Sequence, residues 1–168
     1  MVLAMTASGP AVDAHPADVV TAMVDHVLEL AETWPRWDGT PIEVPVEGEP
    51  PRTYTPHKAV RRVADHLLDP LAEFEARVAR QPTEPDAWHG SVVTTPADLA
   101  PFTQQFTQQD LDEARSRLRR LAQIWGIRLR ALSDEQLDAT DGSAWTLRQV
   151  AFHVTESEFY ADSVGTLQ

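Results

Sequence analysis

The stretch Trp145-Thr-Leu-Arg-Gln-Val-Ala-Phe-His153-Val-Thr-Glu156 sets an imidazole and a carboxylate three residues apart. On a helix that spacing puts both on one side, within reach of a shared ion or substrate atom. The stretch also carries its own helix start, because Thr146 and Gln149 have the spacing of a capping box. His153 lies beside the apolar stripe Val150, Val154 and Ala161. That boundary position suits a ligand looking into a cleft, and it equally suits a buried histidine bonded to a carboxylate.

Five further histidines are candidates to meet this pair. His26 and His66 each follow an aspartate at the edge of an apolar stripe, where a hydrogen-bonded core histidine is the ordinary state. His57 falls in the first turn of a helix, where a positive charge would oppose the helix dipole. His89 sits in Trp88-His89-Gly90-Ser91, which either lines a pocket or staples a loop. His15 precedes the first helix and reads as an exposed tail residue. Tyr160, one turn beyond Glu156, is placed either to orient a ligand or to pack.

The elements that would position these groups are helical. Val20, Met23, Val24, Val27, Ala31 and Trp34 form one stripe from about Ala17 to Trp34. Thr55-Pro56 opens a second helix with stripe Val60, Val63, Leu67, Leu71, Phe74 and Val78, in which Pro70 should produce a kink. A third runs from Thr107, with Asp110 at the capping-box position, to about Leu132; Leu111, Leu118, Trp125 and Leu132 recur along it every seven residues. Ser133 to Gln136 starts a short turn, and the fourth helix follows from Thr146. The proline-rich stretch 36–52 reads as an ordered loop with at most an edge strand, and 81–106 as a long loop with a turn at Pro96 to Leu99. The sum is an all-α fold, a four-helix bundle with two long Pro-rich connections.

Composition bounds the chemistry. The 168 residues make about one domain, expected over 17–168 behind a flexible tail of 1–16. Without cysteine, disulfides, thiolate metal sites and cysteine nucleophiles are excluded. A net charge of −12 opposes phosphate neutralisation, so nucleic acid is not an expected partner. No apolar run approaches the roughly 20 residues of a membrane span, and the first residues lack the basic start and apolar centre of a leader. A cytoplasmic protein with no membrane partner is the expectation.

The strings Ala59-Val-Arg-Arg-Val-Ala-Asp-His66-Leu-Leu-Asp and Trp145-Thr-Leu-Arg-Gln-Val-Ala-Phe-His153, with the helix-and-long-loop layout, resemble the DinB-like superfamily of bacterial helical bundles. That superfamily includes mycothiol-dependent maleylpyruvate isomerases and bacillithiol transferases, and the resemblance runs from about Asp18 to Leu167. It implies an up-down-down-up bundle, often a homodimer, with a divalent metal on three histidines. One of these comes from the second helix and two, four residues apart, from the fourth. His66 matches the first position and His153 the second, but Ser157 stands at the third. Glu156 is then the substitute, giving a His66, His153, Glu156 set suited to zinc, nickel or iron; His26 and His57 are other stand-ins. The implied activity is a thiol-dependent transfer or isomerisation of a small molecule. Lys58 is the only lysine beside thirteen arginines, a bias that goes with GC-rich coding and points to mycothiol as the thiol. The alternative is a metal-free helical protein with a decayed site that binds a ligand or a partner.

Overall fold

A computed structural model of the chain describes residues 14–84, 95, 98, 105–140, 142 and 145–168. Six α-helices lie in it: α1 (Pro16–Ala31), α2 (Pro56–Val78), α3 (Gln108–Arg130), α4 (Asp134–Leu137), α5 (Leu147–Thr155) and α6 (Glu158–Val164). A 3-10 turn at Trp34–Arg36 follows α1, and two strands, β1 (Ile42–Val46) and β2 (Glu49–Tyr54), precede α2. The described residues are therefore mainly helical with one small sheet. Among the described residues no helix is long and apolar enough to cross a membrane.

Side-chain caps fix where the helices begin. Thr55, Thr107, Ser133 and Thr146 each accept a backbone N–H of the first turn; at Thr107, Ser133 and Thr146 the reciprocal contact from Asp110, Gln136 and Gln149 completes a capping box. His15 caps α1, its Nδ1 accepting the Ala17 N–H at 3.2 Å. The reading of His15 as an idle tail residue is thereby corrected, and α1 starts at Pro16, inside the expected tail.

The hairpin goes beyond the expected edge strand. Ile42 pairs with Tyr54, Glu43 with Thr53 and Val44 with Arg52, in antiparallel register. The register slips between Val44 and Val46, at Pro45, whose missing N–H cannot join a ladder. Gly48, at φ 76°, makes the turn that a side chain would resist. The ribbon buries Tyr54 and half-buries Ile42 and Val44 against the helical core, next to α6.

Helix α1 packs on α3, α5 and α6, and α2 packs on the same three. Between them lie Val20, Val24, Val27, Val63, Leu67, Phe74, Leu118, Trp125, Leu129, Val154 and Tyr160, all buried. Helix α2 runs without interruption through Pro70. One turn before that proline, the carbonyl of Leu67 accepts the indole N–H of buried Trp125 at 2.7 Å, which ties α3 to α2.

The fourth helix is not continuous. Glu156 and Ser157 interrupt it, and their N–H groups bond to His153 and Val154, three residues back, in 3-10 fashion. The Ser157 hydroxyl donates to the Val154 carbonyl at 2.8 Å, a backbone contact of the kind that bends helices. The break separates α5, which carries His153, from α6, which carries Tyr160.

Candidate functional site

The histidines and carboxylates sort into separate neighbourhoods. His66 is buried on α2; its Nδ1 lies 2.8 Å from the Arg62 carbonyl, which can only accept, so Nδ1 carries the proton. Its ring meets Tyr160 edge-on with centroids 5.4 Å apart. Tyr160 is itself fully buried against Tyr54 and Phe159, and burial pushes its phenol above the usual range. Its ring packs in the core between α2 and the hairpin.

His153 lies on the other side of the helix break. Its Nδ1 is 2.8 Å from Glu156 Oε2, and its ring stands edge-on to Trp145 with centroids 4.7 Å apart. The His153 side chain is 28% exposed and that of Glu156 is 73% exposed, so the pair opens to solvent where His66 does not. The i, i+3 spacing does bring His153 and Glu156 together, with each other as partner.

The stand-ins have other contacts. His26 Nε2 pairs with Asp162 at 2.7 Å, joining α1 to α6. His57 packs edge-on against Trp37 and Phe106, with Asp110 at 3.8 Å. Burial lowers its pKa, against the pull of Asp110. Ser157 is fully buried. The Trp88–Ser91 string, with His89, lies outside the described residues.

Among the described residues no three His, Cys, Asp or Glu side chains gather as metal ligands. His66 belongs to the interior of α2 and α6, whereas His153 and Glu156 belong to the outer face of α5. His66 is engaged by the Arg62 carbonyl and the Tyr160 ring, and His153 by Glu156 and the Trp145 ring.

What α5 does build is a cleft. Trp145, Gln149, Phe152, His153 and Glu156 line an open hollow of about 430 Å³. They recur at i, i+4, i+7, i+8 and i+11 along one side of the helix, and Trp145 is 45% exposed. Sequence reading singled out His153 and Glu156 here but missed Trp145, Phe152 and Gln149 as partners. The signal was available, because an aromatic residue two turns from another on the same polar helix face is a pattern the core does not need. A larger hollow of about 660 Å³ lies at the end of α2 between Arg77, Arg80, Gln136 and Leu147. Among the described residues no histidine or carboxylate lines it, whereas the cleft on α5 combines ligand size with an imidazole and a carboxylate.

A second polar group supports the fold around α2. Asp98 is buried; its Oδ1 takes Arg61 at 2.6 Å, and its Oδ2 takes Arg62 at 3.3 Å together with the N–H and hydroxyl of Thr95. The Thr55 hydroxyl donates to the Asp98 carbonyl at 3.3 Å. Lys58 is also buried, donating to the Thr53 carbonyl at 2.6 Å with its ammonium over the Tyr54 ring. These contacts fasten Asp98 and the end of β2 onto the first turns of α2.

No family model matches the chain, and neither a curated protein nor a solved structure matches it.

Proposed function

We propose that this chain is a DinB-like four-helix-bundle protein that binds a small molecule without a resident metal, using the α5 cleft. The observation that carries the proposal is the convergence of Trp145, Gln149, Phe152, His153 and Glu156 on one open hollow of ligand size. The pairing of Glu156 with His153, which takes up the carboxylate that a three-ligand set would need, supports the metal-free half of the reading. A cytoplasmic location accompanies it.

The test is a thermal-shift and binding screen of cationic, neutral and anionic small molecules against the wild type and Trp145→Ala. Trp145 is exposed, so its loss should leave the fold intact while weakening genuine ligands about tenfold or more. Ligands that bind Trp145→Ala as tightly as wild type would place the site elsewhere and defeat the proposal.

A second reading, metal-dependent thiol transfer or isomerisation at His66, His153 and Glu156, is favoured by one observation. Both histidines have Nδ1 engaged by an oxygen, the arrangement that orients metal-ligating imidazoles. That reading requires Glu156 to leave His153, or to act as its outer carboxylate while another group supplies the third ligand. Metal content measured on the purified protein separates the two readings.

A further inference from the structure

We infer that the α5 cleft selects an organic cation, a substituted ammonium group with a short apolar substituent. The inference rests on the cleft being the ligand site and concerns what enters it. Among the described residues its lining is two aromatic side chains, an imidazole, an amide and a carboxylate, with no lysine or arginine. Aromatic faces attract cations through the ring quadrupole, and an adjacent carboxylate completes the cage that recognises alkylammonium groups.

The surroundings reinforce that sign. Arg148, the cation on the first turn of α5, is held away by Asp134 at 2.8 Å and Asp138 at 2.7 Å. Glu156 is the C-cap of α5, so the carbonyl end of that helix adds negative potential beside its carboxylate. His153 grips Oε2 of Glu156, and a carboxylate accepts at both oxygens, so the grip orients the group without consuming it. A net charge of −12 enriches cations near the whole surface. An anion entering the cleft would meet Glu156 with no lysine or arginine among the described lining residues to offset it.

Isothermal titration of the full chain with three probes of one shape tests this: choline, its neutral isostere 3,3-dimethylbutan-1-ol, and the anion 3,3-dimethylbutanoate. Choline should bind saturably, at least tenfold more tightly than the alcohol, with no binding of the acid. Glu156→Gln and Trp145→Ala should each weaken choline about tenfold or more while melting like wild type. Absence of choline binding, equal affinity for alcohol and choline, or an unchanged Kd in Glu156→Gln overturns the inference. If the alcohol or the acid binds best and Trp145→Ala abolishes it, the cleft stands and only its charge preference falls. If no screened ligand depends on Trp145, the cleft itself falls.

Discussion

Replacing Asp98 with alanine is expected to cost about 3–5 kcal/mol, because one partner of a buried ion pair disappears and the other stays behind. The Arg62 side chain is 3% exposed and would lose Asp98, the nearer of the two carboxylates described beside it, the other being Asp65 at 3.9 Å. Arg61 is half-exposed and can turn to water, so most of the penalty comes from Arg62 and from the lost contacts with Thr95. Urea unfolding followed by circular dichroism measures it, and Asp98→Asn should cost less because an amide oxygen can still accept from Thr95. A loss below about 1 kcal/mol in the alanine variant would show that Asp98 does not fasten α2.

The same group sets a pH dependence. Burial raises the Asp98 pKa, but the Thr95 N–H and hydroxyl, then Arg62 and Arg61, outweigh it and hold the carboxyl below the ordinary range. A folded pKa depressed below the unfolded value of about 3.9 gives stability that is complete above that value and lost as pH falls through the folded one. Wild type and Asp98→Ala should therefore differ most above about pH 4 and converge in stronger acid.

Trp125→Ala carries the other large expected effect, again about 3–5 kcal/mol, from a cavity where a fully buried ring was. Trp125 packs edge-on against Phe74 with centroids 5.3 Å apart and donates its indole N–H to Leu67, so the variant loosens α3 from α2. Trp125→Phe keeps much of the volume and should cost about 1–3 kcal/mol, chiefly from leaving the Leu67 carbonyl short of a donor. Against a typical stability of about 5–15 kcal/mol the alanine change is severe, and it should lower Tm by about 6–20 °C. A Trp125→Phe variant that melts with the alanine variant would mean that the indole hydrogen bond, not the ring, dominates.

Local signals carried much of the fold. The capping boxes at Thr107, Ser133 and Thr146 and the Thr55-Pro56 start are contacts three residues apart, so residue type and spacing suffice to place them. The stripe of Leu111, Leu118 and Trp125 is likewise a local pattern, and all three are buried. What escaped depends on distant parts of the chain or on competing local signals. Pro45, Pro50 and Pro51 argued against strands, yet a two-stranded ribbon needs few ladder bonds and tolerates them. The Asp98 clasp joins residues more than thirty apart, which no periodicity reports. The break at Glu156 and Ser157 hides inside a good helical pattern, because a serine hydroxyl turned back onto Val154 looks the same in sequence as one facing solvent.

For the candidate site, the i, i+3 rule brought His153 to Glu156 as expected. It says nothing of what faces them across the fold, where the Arg62 carbonyl and the Tyr160 ring engage His66. The aromatic half of the cleft needed Trp145 and Phe152 to be weighed as surface groups and not as core.

The most direct test of the metal-free reading is elemental analysis of protein purified without an affinity tag, followed by melts with EDTA, zinc and nickel. The expected result is substoichiometric metal and a melt that none of the three additions shifts. Near-stoichiometric metal with a Tm that EDTA lowers and zinc or nickel restores would contradict it, and would return His66, His153 and Glu156 to the centre of the chemistry.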